Sequence, residues 1–201
     1  FVRYADDLLI FCKSRKAASR TLDHILPYIE GKLFLQVNRE KTQVARITRV
    51  KYLGYSFYIH KGEGRLRIHP KSVLNFKNKI REITGRSNGM GVEFRKNRLN
   101  QVIRGWINYF KLADAKGLIQ RLDEWIRSRI RMVTWKRWKR IHTRFENLKS
   151  LGIDKEQAWM WANTRKGYWR TAHSPILLKS LSNERFKRAG YLSLMDCYSA
   201  R

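Results

Sequence analysis

Asp6 and Asp7 stand side by side between two apolar runs, in Phe1-Val2-Arg3-Tyr4-Ala5-Asp6-Asp7-Leu8-Leu9-Ile10-Phe11. Val2 and Tyr4 alternate with Phe1 and Arg3, and Leu8, Ile10 and Cys12 alternate with Leu9 and Phe11. The alternation predicts a β-hairpin of two half-buried strands with the carboxylates near its turn. Cys12 then falls on the apolar strand face as a small buried side chain. Aspartate is a common turn residue, so a polar turn is one reading of the pair. The other reading is chemical. Two carboxylates held together on a rigid strand end repel each other, and a hard divalent cation with oxygen ligands relieves the repulsion. Mg²⁺ is the natural ion, with Mn²⁺ as a substitute.

The elements that would position this pair follow in order. Ser14 can cap a helix whose apolar positions Ala18, Leu22, Ile25, Leu26 and Ile29 share one face, with Gly31 ending it and Pro27 kinking or shortening its last turn. Leu33, Leu35 and Val37 predict a strand, Asn38 breaks it, and Thr42 to Ile47 predicts another, with Arg39-Glu40-Lys41-Thr42 between them. Val50 to Ile59 is β-branched and aromatic, and Gly62-Glu63-Gly64 is expected to turn it into a last strand, Arg65 to His69. Gly54 within that pattern predicts a bulge or a close backbone approach.

Charge points to the partner. The 44 Lys+Arg against 16 Asp+Glu leave a net charge of +28 in 201 residues, an excess that calls for a polyanion. Residues 1–69 carry 14 basic and 6 acidic side chains and residues 70–201 carry 30 and 10, so a domain boundary is expected near Pro70. No apolar run reaches the roughly 20 residues of a membrane span, so no membrane partner is expected and the protein is read as soluble and intracellular. Two cysteines without CxxC spacing and five histidines without a ligand pattern argue against zinc. The chain opens on Phe1 inside a strand pattern, which reads as a fragment.

Beyond Pro70 the periodicity is helical. Val73, Phe76, Ile80 and Ile83 form one stripe, Gly85 to Gly91 a loop, Leu99, Val102, Ile103, Trp106 and Phe110 a second stripe, and Leu118, Leu122, Trp125 and Ile126 a third, predicting a small bundle. Trp106, Tyr109 and Phe110 are expected to pack between helices. From Trp125 to Phe145 the chain holds eight Lys/Arg, three Trp and no acid. Continued as a helix, this stretch predicts a nucleic-acid surface of Arg129, Arg131, Lys136, Arg137, Lys139, Arg140 and Arg144, with Trp135 and Trp138 offering faces for base stacking. Asp154 and Gln157 pair as a helix cap, Ser174-Pro175 opens another helix, and Arg165, Lys166 and Arg170 lie in a basic, aromatic loop between them. The terminal segment Asn183 to Arg201 is expected to be ordered.

Three motifs in series, Tyr4-Ala5-Asp6-Asp7, Glu40-Lys41-Thr42 and Tyr52-Leu53-Gly54-Tyr55, together resemble the second half of a reverse transcriptase palm. Leu99-Asn100-Gln101-Val102-Ile103-Arg104-Gly105-Trp106-Ile107-Asn108-Tyr109-Phe110 resembles the thumb and maturase region of group II intron-encoded reverse transcriptases. The resemblance implies an α+β fold: the C-terminal part of a palm over 1–69, an all-α thumb and maturase domain over 70–145 and a basic helical DNA-binding region over 146–201. It implies Asp6 as a ligand to two Mg²⁺ ions with Asp7 supporting it, Lys41 near the leaving pyrophosphate, and Tyr52, Leu53, Gly54 and Tyr55 as the primer grip. The implied partners are group II intron RNA, a DNA target, an RNA template with its DNA primer, and dNTPs. The fingers and an upstream catalytic Asp of the family would precede Phe1, so the segment is not expected to polymerise alone. The end at Arg201 resembles the short bacterial form without an endonuclease domain, working as a cytoplasmic ribonucleoprotein and associated with the nucleoid when on DNA. A non-polymerising splicing maturase and a CRISPR- or defence-associated reverse transcriptase are the alternatives.

Overall fold

Two-residue turns and short ladders build the first of the two units into which the chain divides, Phe1–His69; the second is Pro70–Arg201. The structure is a computed structural model and describes residues 1–200; Arg201, the end of the terminal segment, lies outside them. The fold is α+β, with ten α-helices and two small antiparallel sheets among the described residues.

In the first unit β1 (Val2–Tyr4) pairs with β2 (Asp7–Leu9), Tyr4 facing Asp7 across a two-residue turn. β3 (Lys51–Tyr52), β4 (Tyr55–His60) and β5 (Glu63–Ile68) form a meander. Of the bulge or close backbone approach expected at Gly54, the bulge does not form, because Tyr52 pairs directly with Tyr55 across a hairpin turn, while the His69 backbone does approach, its N–H donating to the Gly54 carbonyl at 3.0 Å. Leu53 and Gly54 take φ of 48° and 77°, and Lys61 and Gly62 take 51° and 82°. Paired left-handed residues of this kind make the turn whose twist matches that of the strands it joins. The second turn therefore lies at Lys61-Gly62, and Glu63 and Gly64 belong to β5.

Helix α1 (Arg15–Gly31) starts where expected, the Ser14 hydroxyl accepting the Ala17 N–H at 3.2 Å, and it continues through Pro27 to Gly31. Proline removes one donor, the partner of the Asp23 carbonyl, and both residues are exposed, where solvent can satisfy that oxygen. The strands expected at Leu33–Val37 and Thr42–Ile47 do not form. Phe34 has φ 53°, which breaks an extended run, neither segment gains a ladder partner, and Ile47–Arg49 winds into a 3-10 turn. β1 is exposed throughout rather than half-buried, Cys12 is exposed rather than buried, and of the described residues in this unit only Ser56 and Ile68 are buried. Sheets of two and three short strands have too little face to cover their own apolar residues.

The second unit consists of α2 (Pro70–Ile83), α3 (Val92–Tyr109), α4 (Lys116–Arg137), α5 (Ile141–Ser150), α6 (Lys155–Ala162), α7 (Tyr168–Ala172), α8 (Pro175–Ser180), α9 (Asn183–Arg188) and α10 (Leu194–Ser199). The helical stripes read from the sequence meet in its core: Phe76, Ile80 and Ile83 of α2, Leu99, Ile103 and Ile107 of α3, and Ile119, Leu122, Ile126 and Ile130 of α4 are buried. Phe76 stacks on Trp106 with ring centroids 4.2 Å apart, and Phe110 is buried, whereas Tyr109 stays exposed. Helix α4 stops at Arg137 instead of running to Phe145. Trp138 caps it on the Thr134 carbonyl, and α5 begins at Ile141, so the boundary expected after Phe145 falls inside a helix. No helix among the described residues is long and apolar enough to cross a membrane.

The C-terminal segment is pinned by polar side chains of α3 and α4. Asp123 accepts the Leu194 N–H at 2.8 Å and the Ser193 hydroxyl at 3.2 Å while pairing with Arg127. Asn100 donates to the Gly190 carbonyl at 2.7 Å and accepts the Leu192 N–H at 3.0 Å. Burial pushes the Asp123 carboxyl up from its ordinary pKa, against the opposing pull of Arg127, Leu194 and Ser193. Asp123→Ala leaves these donors without their acceptor and should lower stability by about 2–3 kcal/mol in urea unfolding, with Asp123→Asn costing less. A raised folded-state pKa contributes stability that is present below the unfolded value and is lost as pH rises through the folded value. Wild type should therefore lose stability relative to Asp123→Asn as pH rises from about 4 towards neutrality.

Candidate nucleic-acid interface

The β1–β2 turn presents its two carboxylates to solvent. Asp6 lies in the turn, Asp7 opens β2, and both are exposed. Ala5 precedes them at φ 52°, a left-handed conformation that costs a residue with a Cβ roughly 1 kcal/mol. Arg3 braces the turn, its Nε donating to the Ala5 carbonyl at 2.9 Å. Tyr52, immediately before the Leu53-Gly54 turn, donates its hydroxyl to the Asp7 carbonyl at 3.2 Å. Residues 45 positions apart are thereby joined, and Tyr4-Ala5-Asp6-Asp7 and Tyr52-Leu53-Gly54-Tyr55 meet in one unit. Lys41 does not join them. It is exposed on a turn built by Asn38, whose side-chain oxygen accepts the Lys41 N–H at 3.1 Å.

The donor set suits a hard cation. Neither Asp6 nor Asp7 is engaged by a cationic side chain among the described residues, and Mg²⁺ is usually held by one or two carboxylates with substrate phosphates and water completing its shell. No group of three or more His, Cys, Asp or Glu side chains is gathered among the described residues.

The basic stretch divides into inward and outward side chains. Trp135 and Trp138 are core residues, 1% and 4% exposed, and they pack edge to face at 5.8 Å, so neither ring is open to a base. The Arg144 guanidinium lies 4.6 Å from the Trp135 ring centroid and donates to the Trp138 carbonyl at 2.9 Å and the Ala162 carbonyl at 3.4 Å, which makes it a clamp between helices. Arg131 is buried too: it donates to the Leu181 carbonyl at 3.0 Å and Asn183 Oδ1 at 3.3 Å, and burial lowers its pKa. Arg129 closes the end of α2, donating to Thr84 Oγ1 at 2.9 Å, the Thr84 carbonyl at 3.1 Å and the Arg81 carbonyl at 3.3 Å. Lys136 is half-buried, 3.4 Å from Ser87 Oγ. Arg137, Lys139, Arg140, Arg165, Lys166 and Arg170 are exposed.

The aromatic surfaces open to a partner lie elsewhere. Trp159 on α6 is 57% exposed and Trp169 on α7 is 42% exposed, close in sequence to Arg165, Lys166 and Arg170. Lys77, Arg81 and Arg86, absent from the sequence-based set, lie on α2 and the loop after it, and the first two surround the Trp125 ring. The four-residue spacings Lys77/Arg81 and Trp125/Arg129 signal that each pair shares a helix face. Their meeting depends on the approach of α4 to the end of α2.

Comparison with known families sets two descriptions on this geometry. Residues 1–57 match the reverse transcriptase (RNA-dependent DNA polymerase) family, a span holding both the carboxylate turn and the Leu53-Gly54 hairpin. Residues 73–152 match the group II intron, maturase-specific domain, a span running from α2 to the end of α5. A search of curated proteins found no match. A reverse transcriptase match followed directly by a maturase-specific match is the pairing that supports a group II intron reverse transcriptase/maturase.

Proposed function

We propose that this chain serves RNA-directed DNA synthesis and the binding of folded group II intron RNA, assisting the splicing and mobility of the intron. The observation that carries this reading is the hydrogen bond from Tyr52 to Asp7, which ties the expected primer grip to the carboxylate doublet. In this reading 1–69 is the C-terminal part of the palm, the helices from Pro70 to the end of α5 are the thumb and maturase domain, and the helices after α5 are a DNA-binding region. The partners are intron RNA, the template–primer duplex, the DNA target and dNTPs, within a cytoplasmic ribonucleoprotein.

Asp6 and Asp7 would hold Mg²⁺, which when bound supplies Lewis-acid activation of the primer 3′-hydroxyl and offsets charge on the triphosphate. The chain's own residues position. The Tyr4–Asp7 pair fixes where the carboxylates project, the Leu53-Gly54 turn holds the primer end, and Tyr52 sets the distance between the two. Holding reactants in line can remove about 7–11 kcal/mol of a barrier. Lys41, exposed on its turn, would place a cation near the departing pyrophosphate. The exposed Arg137, Lys139, Arg140, Arg165, Lys166 and Arg170 would take phosphates, and shape and backbone contacts suit a folded RNA.

Primer extension on an RNA template by the intact gene product with Mg²⁺ tests the catalytic part. Asp6→Ala and Asp7→Ala should each abolish extension while RNA binding persists, and mutants that extend as well as wild type would sink the assignment. Tyr52→Phe should leave RNA affinity unchanged and slow extension severalfold, with Asp6 and Asp7 intact. Neutralising Lys139, Arg140, Arg165 and Lys166 should flatten the dependence of RNA affinity on salt by about one logarithmic unit of slope per lost contact, and an unchanged slope would move the binding face elsewhere.

A further inference from the structure

Three cationic side chains surround the half-buried ring of Trp125 on α4. Lys77 Nζ lies 5.7 Å from its centroid, Arg81 Cζ 5.6 Å and Arg129 Cζ 5.9 Å. Two points within 6 Å of one centre are at most about 12 Å apart, so three positive charges occupy one small patch. Arg86 extends the patch, its guanidinium 5.6 Å from the Tyr168 ring, and Lys136 reaches Ser87 in the same loop. Among the described residues no carboxylate pairs with any of these five. Glu82, beside Arg81 in sequence, is taken by Lys79 at 2.9 Å.

This arrangement differs in kind from a salt-bridged surface. A carboxylate attracts a cation and cancels its charge, whereas an aromatic face attracts a cation and leaves the charge intact. Trp125 therefore gathers like charges without neutralising them. Their mutual repulsion is felt at Arg129, whose pKa is lowered first by burial and then by Arg81 and Arg86. Arg129 also has a structural task, closing the end of α2. Lys77 and Arg81 have none of comparable weight: Arg81 bonds its helix neighbour Asn78 at 2.7 Å, and among the described residues Lys77 is held only by the ring. Holding them together opposes folding unless an anion completes the patch.

We propose that Lys77, Arg81 and Arg129, gathered on Trp125, form a phosphate site for the backbone of a nucleic-acid duplex, with Arg86 and Lys136 extending it and Trp125 as a positioning residue. A patch at most about 12 Å across is small enough to face a short run of successive phosphates on one strand. The half-buried ring serves as the platform for the cations and does not stack on a base. The proposal rests on the reading of the chain as a nucleic-acid-binding protein and names where a duplex backbone is gripped.

The test is binding of a blunt RNA duplex to the intact protein across a salt series, for wild type, Lys77→Gln/Arg81→Gln, Trp125→Leu and Trp125→Phe. The double variant should weaken binding at least tenfold and reduce the salt slope by about two. Trp125→Leu keeps the net charge and should still weaken binding severalfold, and Trp125→Phe, which keeps a π face, should restore it. Wild-type affinity and slope in the double variant would overturn the site, and wild-type binding by Trp125→Leu would overturn the positioning role. If circular dichroism finds Trp125→Leu unfolded, the double variant decides the proposal. Wild-type protein that binds no duplex would overturn the site together with the nucleic-acid reading, whereas unchanged variants of a protein that does bind would overturn the site alone. Full competition by millimolar inorganic phosphate would reassign the patch to a free anion and overturn the duplex.

Discussion

Burying arginine without burying an equal negative charge is the constraint on which the larger unit depends. Helix α4 lies at its centre and carries seven Lys or Arg against two acids. An ion of this kind in the interior must find hydrogen-bond acceptors or it opposes folding. Arg127 finds a carboxylate in Asp123, but Arg129 and Arg131 are satisfied mainly by neutral oxygens, the carbonyls and hydroxyl at the end of α2 and the Leu181 carbonyl with Asn183. Neutral oxygens satisfy the donors and leave the charge. The unit thus folds with its surplus charge intact, which is what a partner bearing phosphates requires.

The same economy explains the aromatic residues. Trp135 and Trp138 face inward because the packing of α4 against α7, with Met132, Val133 and Ala172 in one buried cluster, turns that side of the helix away from solvent. Trp125, ten residues earlier, lies half-buried at the edge and collects cations. Trp159 and Trp169 stay open because α6 and α7 are short and bury mainly small side chains, Ala158, Ala162, Thr171 and Ala172. Three tryptophan environments thus occur within one basic stretch and the helices after it, and only packing separates them.

In the first unit order comes from turns more than from a core. Leu53-Gly54 and Lys61-Gly62 supply the paired left-handed residues that set the register of the meander, and Ala5 accepts a strained φ to bring Asp6 into the β1–β2 turn. Backbone strain of this sort persists where the surroundings hold it, here the Arg3 bond to the Ala5 carbonyl and the Tyr52 bond to Asp7. The carboxylates are held by hydrogen bonds to the backbone beside them, which leaves the carboxylate oxygens themselves open.

Local pattern alone determined much of this protein: the hairpin around Asp6 and Asp7, the caps at Ser14 and Asp154, the helical stripes of α2 to α4, and the excess of positive charge. These features depend on neighbours within a turn or two, so the order of residue types suffices to place them. Tertiary structure decided the rest. The segments Leu33–Val37 and Thr42–Ile47 have strand-like composition, but a strand exists only where a second one lies beside it. Tyr52 meets Asp7 across 45 residues, and Lys77 meets Trp125 across 48, contacts that no local period encodes. Which arginine or tryptophan of the basic stretch faces a partner depended on where α4 ends and on which helices pack against it, because a side chain's role follows from the surface it is given.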